Sequence, residues 1–176
     1  TLFRSLAVTT TYHKFKDNKT NNNSKNASHD FSIGSLNVRG INMNIKRNAI
    51  FTWAKEKGFD ILFLQECYCS TEIENIWQQE WDGKITFAHG SMHSRGTTIL
   101  FSNKLDYSLI EEVCDMDGRY VICKIEVQGE LYFCLNLYAP NSMLEKQNFF
   151  AKIKQALENM NITSSDRLII EGDWNS

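Results

Sequence analysis

The stretch Asp60-Ile61-Leu62-Phe63-Leu64-Gln65-Glu66 decides the architecture. Four consecutive apolar residues without alternation predict a strand covered on both faces, as in the centre of a layered α/β protein. Glu66 ends that run. The core holds the backbone there, while the sheet edge opens into the crevice where α/β sheets place their chemistry. Arg167-Leu-Ile-Ile-Glu-Gly-Asp173-Trp-Asn175 repeats the design, an apolar strand running into an acid. Either acid alone reads as a solvated loop residue. The pair points to a divalent cation, because Mg²⁺ takes a few carboxylate oxygens and completes its shell with water and phosphate.

Upstream, Phe31-Ser-Ile-Gly-Ser-Leu-Asn37-Val alternates apolar and small polar residues as a strand does, and Arg39-Gly40 breaks it. From Ile45 to Lys57 the positions Ile45, Ala49, Ile50, Trp53 and Ala54 predict the inward face of a helix, with Gly58 as its stop. Strand, helix and strand then form a unit long enough for a parallel crossover, which sets Asn37 beside Glu66. Downstream, Thr71-Glu-Ile-Glu74 reads as a capping box opening a short helix, with Ile73, Ile76, Trp77 and Trp81 facing inward. The runs 85–88, 97–102, 108–113, 119–127 and 130–138 predict a mostly antiparallel meander, with Gln128-Gly129 as a tight hairpin turn. Pro140 stops the last of these strands and fixes the directions of Tyr138 and Asn141. Ser142-Met-Leu-Glu145 is a second capping box, followed by a helix with Phe149, Phe150, Ile153, Ala156, Leu157 and Met160 at helical spacing. The strand 166–172 then delivers Asp173 and Asn175.

The chain has 176 residues, 42% apolar and 23% charged, enough for one domain with its own core. A formal net charge of -2 weighs against a strongly basic, sequence-independent nucleic-acid binder. Residues 1–30 are polar and low in complexity, so a disordered tail is expected there, with the folded domain over 31–176. The five cysteines point to a reducing, intracellular compartment, with Cys114, Cys123 and Cys134 serving as small hydrophobes in strands. Cys67 and Cys69 form a C-x-C with no second pair to make a zinc site, and His89 and His93 sit on a strand-to-loop segment that suits surface residues. No stretch is long and apolar enough to span a membrane. The start at Thr1 suggests a piece of a longer protein.

Strand ends thus supply Asn37, Glu66, Tyr138, Asn141, Asp173 and Asn175: two acids, three amides and a phenol. Gly-x-Ser-x-Gly, a P-loop and a dinucleotide glycine fingerprint are absent. The chemistry this set supports best is metal-assisted attack of water on a phosphoester.

Ser35-Leu-Asn37-Val-Arg-Gly40, Leu64-Gln-Glu66, Asn136-Leu-Tyr138-Ala-Pro-Asn141 and Gly172-Asp173-Trp-Asn175 occur in the order and approximate spacing of the endonuclease/exonuclease/phosphatase superfamily. From Phe31 to Ser176 the chain most resembles the apurinic-endonuclease-like domain of LINE-type non-LTR retrotransposons. The resemblance implies a four-layer α/β sandwich, two mixed sheets face to face with helices outside, and Mg²⁺- or Mn²⁺-dependent hydrolysis of phosphoesters. It implies a metal-binding role for Glu66 with Asn37 beside the metal, and a water-orienting or deprotonating role for Asp173. Asn175 would hold the phosphate, Tyr138 would stabilise its developing charge, and Asn141 would line the same pocket. The implied partner is double-stranded DNA, nicked to prime reverse transcription, which requires access to the nucleus.

Two departures bear on this. Arg39 stands where repair-type apurinic endonucleases usually carry aspartate, which favours the retroelement branch. The family's late strands, with a catalytic histidine and its aspartate partner, would follow residue 176, so the chain by itself is expected to be catalytically silent and weakly stable, with Leu168, Ile169 and Ile170 uncovered. The alternatives are a phosphomonoesterase of the same superfamily, of inositol phosphatase or sphingomyelinase type, and a non-catalytic relic or binding module.

Overall fold

A computed structural model describes residues 32–175 and the backbone of Val8–Thr9. The elements in chain order are β1 (Val8–Thr9), β2 (Ile33–Asn37), α1 (Asn44–Lys57), β3 (Ile61–Gln65), α2 (Glu74–Glu80), β4 (Gly83–Ala88), β5 (Thr97–Ser102), β6 (Ser108–Cys114), β7 (Tyr120–Val127), β8 (Glu130–Tyr138), α3 (Met143–Asn159) and β9 (Arg167–Asp173). They form two mixed sheets, ordered β1-β2-β3-β5-β4 and β6-β7-β8-β9. The expected disordered tail lies outside the described residues, apart from Val8–Thr9, whose backbone pairs antiparallel with Leu36 and Ser35.

The unalternating run of β3 is explained by what covers it. Leu62 and Leu64 pack with Ile50, Phe51, Ala54 and Trp77 of α1 and α2, whereas Ile61 and Phe63 pack with Val121, Cys123 and Cys134 of the second sheet. Adjacent residues point to opposite faces of a strand, so an apolar residue is needed at every position when both faces are buried. The far side of the second sheet, through Ile122, Phe133 and Leu135, packs on Phe149, Ile153 and Ala156 of α3. The result is four layers: helices, sheet, sheet, helix.

Several local expectations hold. Gly58 caps α1 in the left-handed region at φ 70°, Ser142 accepts from the Glu145 N–H at 3.2 Å, and Gln128 and Gly129 turn the β7–β8 hairpin with φ 51° and 79°. Others need correcting. Thr71–Ile73 is a 3₁₀ turn leading into α2, and neither end of it has a side-chain cap, so the capping box there does not form. Ile45 and Ile76 are exposed, because α1 and α2 bury narrower faces centred on Ile50, Phe51 and Ala54 and on Trp77. The meander is divided: β4 and β5 stay with β3, and the chain crosses to the second sheet before β6. Cys114 is exposed, since β6 is an edge strand among the described residues, while Cys123 and Cys134 are buried. On β9, Ile169 is buried between the sheets and only its neighbours Leu168 and Ile170 are open.

Candidate active site

The two sheets contain one parallel pair each. β2 runs parallel to β3 with Asn37 opposite Gln65, and β8 runs parallel to β9 with Tyr138 opposite Asp173. Each pair therefore carries its strand-end residues out on one edge, and face-to-face packing brings the two edges together. Asn37 Nδ2 donates to Glu66 Oε1 at 2.8 Å and to Asp173 Oδ2 at 2.7 Å. Asp173 Oδ1 accepts from the Asn175 N–H at 3.0 Å, and Asn175 Nδ2 donates to Ala139 O at 2.6 Å. Asn37, Glu66 and Asp173 are thus one hydrogen-bonded group. Glu66, Tyr138, Asn141 and Asn175 line a cleft of about 290 Å³ in front of it.

Backbone and buried polar groups hold this edge. Glu66, Arg39 and Asn175 all have positive φ, at 52°, 47° and 46°, a conformation that costs on the order of 1 kcal/mol or more each in residues with a Cβ. The contacts that offset it come from the helices. Lys46 Nζ donates to Val38 O at 2.6 Å, Arg47 Nη1 donates to Asn42 O at 2.8 Å, and Lys146 Nζ donates to Asn175 O at 2.7 Å. Burial, with the Arg39 charge adding to it, lowers the Lys46 pKa. Gly172 lets β9 approach β8 just before Asp173, since a Cβ there would fall 2.1 Å from Leu137 O.

Below this layer a buried cross-link joins the sheets. Asn136 Nδ2 donates to Leu64 O at 2.8 Å and to Thr98 O at 2.7 Å, while its Oδ1 accepts from Gln65 Nε2 at 2.8 Å. Gln65 Nε2 also donates to Ser35 Oγ at 3.2 Å. Every polar atom of the fully buried Asn136 side chain is satisfied, so the link fixes the spacing of the two sheets directly beneath Glu66 and Tyr138.

Side chains not singled out in the sequence also face the cleft. Tyr68 donates to Glu66 Oε2 at 3.1 Å. Arg119 lies over the Tyr138 ring at 5.7 Å and donates to Tyr138 O at 3.3 Å, and Arg95 lines the same cleft. Arg95 and Arg119 sit in loop or strand-start positions with no pattern around them, and only the alternation of Tyr68 with Cys67 and Cys69 hinted at a side chain turned outward. Burial first, then the Glu66 charge, raises the Tyr138 phenol above the usual range, so it stays a donor at neutral pH.

Glu66 and Asp173 present the oxygen donors a hard cation prefers, next to open space. Among the described residues no group of three or more His, Cys, Asp or Glu side chains converges, so a cation here would rest on these two acids with water and phosphate, as Mg²⁺ does in many phosphate sites. Asn37 turns its nitrogen to the acids and its Oδ1 to the Arg39 N–H at 3.2 Å, and in this orientation it aligns the two carboxylates. His89 pairs with Glu74 at 2.5 Å and His93 is exposed, so neither joins the group.

The chain is similar to known proteins. The Transposon TX1 uncharacterized 149 kDa protein of Xenopus laevis is 30% identical over 144 residues, which is 82% of this chain and 11% of that protein. An AP endonuclease from Archaeoglobus fulgidus superposes with a TM-score of 0.58 at 22% identity, covering 80% of this chain and 56% of that one. D. rerio TDP2, solved in complex with a single strand DNA product, gives 0.59 at 16% identity, covering 82% and 60%. This chain therefore spans about a tenth of the curated relative and less than two thirds of either solved chain. At these identities the solved structures establish the shared fold. The profile of the Endonuclease/Exonuclease/phosphatase family matches residues 34–176, the span that contains every residue of the cleft, and the chain belongs to that family.

Proposed function

We propose that this domain is the DNA endonuclease of a retrotransposon protein, hydrolysing one strand of double-stranded DNA in the nucleus with Mg²⁺ or Mn²⁺. The observation that carries the proposal is the bridge from Asn37 to both Glu66 and Asp173, which joins Asp173 to an acid lining the cleft walled by Tyr138, Arg95 and Arg119. Glu66 would hold the divalent cation, which would supply charge stabilisation to a phosphate oxygen. Asp173 accepts a proton from, or orients, the attacking water. Asn37 holds the Asp173 carboxylate beside Glu66 by donating to both. The Tyr138 phenol, held protonated, donates to the phosphate as charge builds on its oxygens, and Asn141 and Asn175 border the space where that group would sit. Arg95 and Arg119 bring positive charge to a chain whose net charge is slightly negative, which places the attraction for a polyanion at the site itself. The transposon relative supports this reading.

The test is nicking of supercoiled plasmid by the domain in its longer parent chain, with Mg²⁺ and with EDTA, beside release of phosphate from inositol phosphates. Metal-dependent nicking that disappears in Glu66→Gln and Asp173→Asn is expected. Phosphate release without nicking, or nicking unchanged in both variants, would reject the proposal.

A further inference from the structure

The chain leaves β3 through Glu66-Cys67-Tyr68-Cys69. Both cysteines are fully buried, Cys67 Sγ lying 3.5 Å from Thr98 Oγ1 and Cys69 Sγ 3.9 Å from Ala88 O. Burying alternate residues turns Glu66 and Tyr68 together toward the cleft, which both line. This gives the C-x-C a structural role without a metal.

The Tyr68 ring has a built seat. It lies against Gly40, where a Cβ would come within 2.5 Å of a ring carbon, and Gly40 in turn donates its N–H to Glu66 O at 2.6 Å. The Tyr68 N–H donates to Arg95 O at 3.0 Å, and its own φ of 59° is left-handed. From this seat the phenol reaches Glu66 Oε2 at 3.1 Å while Asn37 Nδ2 holds Oε1 at 2.8 Å. An ionised carboxylate offers about two lone pairs on each oxygen. One hydrogen bond on each fixes the carboxylate plane and leaves acceptor capacity facing the cleft.

We propose that Tyr68 is a positioning residue that presents the Glu66 carboxylate to a divalent cation. The inference rests on the metal-dependent reading of the site. A donor on the oxygen opposite Asn37 removes the rotamer freedom Glu66 would otherwise lose on binding, as outer partners of metal ligands commonly do.

The experiment titrates Mn²⁺, by the electron paramagnetic resonance signal of the free ion, into the wild-type chain, Tyr68→Phe, Glu66→Gln and the double variant, with thermal melts of each. Tyr68→Phe is expected to weaken Mn²⁺ binding about tenfold, in line with other outer-shell deletions, at an unchanged Tm. In the double variant the loss should be no greater than in Glu66→Gln, because the phenol acts only through that carboxylate. If Glu66→Gln loses binding while Tyr68→Phe keeps wild-type affinity, the Tyr68 role is wrong and the metal reading survives. Additive losses would likewise overturn it, by showing that the phenol acts independently of Glu66. Undiminished binding in Glu66→Gln would overturn the metal reading and this inference with it.

Discussion

Asn37 Nδ2 donates to Asp173 Oδ2 at 2.7 Å, a contact between residues on different sheets and 136 positions apart in sequence. Because the same nitrogen also holds Glu66, two like charges share one donor, and their repulsion is offset there. Asn37→Leu keeps the volume and removes the donor. It is expected to cost about 1–3 kcal/mol, the usual range for stranding such acceptors, and to remove most of the nicking activity. Urea unfolding in EDTA measures the first effect, and a midpoint equal to wild type would show that the bridge carries no stability.

Asn136→Leu leaves Leu64 O, Thr98 O and Gln65 Nε2 short of a partner between the sheets. With several buried groups stranded at once, a loss of about 3 kcal/mol or more is expected. Gln65→Leu in the same background should add less than it costs alone, because the two side chains belong to one network. Strict additivity in a double-mutant cycle would mean the two act separately.

Alkaline pH provides a third test. Tyr107 stacks on Phe101 at 4.8 Å, and burial first, with Cys123 beside it, raises its phenol to about 12. A folded pKa above the unfolded value of roughly 10 leaves stability intact below that pH and removes it as pH climbs toward the folded value. Tyr107→Phe should therefore flatten the fall in stability between about pH 10 and 12. Parallel stability curves for the two proteins would contradict the burial assigned to this phenol.

Leu168 and Ile170 are 40% and 38% exposed on β9, and with Phe150, Leu157 and Trp174 they line an apolar groove of about 440 Å³ beside α3. Ile169, between them in sequence, is 4% exposed on the opposite face. Leu168→Thr with Ile170→Thr should reduce self-association in light scattering and change stability little, since an edge strand with an apolar face invites pairing. Ile169→Thr should cost about 2 kcal/mol or more by losing core burial and burying a hydroxyl. A larger stability loss from the outer pair than from Ile169 would reverse the assignment of faces.

The sequence by itself determined the elements that carry the site. The run at Ile61–Leu64 required cover on both faces, Gly58 and Gln128-Gly129 dictated their cap and turn through local backbone geometry, and Glu66 and Asp173 stood out as acids at the ends of apolar strands. Helix and strand period, and left-handed turn chemistry, are local properties, so they survive in a linear reading. The tertiary structure alone decided which sheet β4 and β5 join, which face of β9 is buried and which of Ile45 and Ile76 stay in water, because those depend on what the rest of the chain places opposite. It also decided that Asn37 bridges the acids, that Asn136 spans the sheets and that Tyr68, Arg95 and Arg119 reach the cleft. A hydrogen bond constrains distance in space and leaves no periodicity along the chain, and for that reason these partners could be found only once the two sheets were folded face to face.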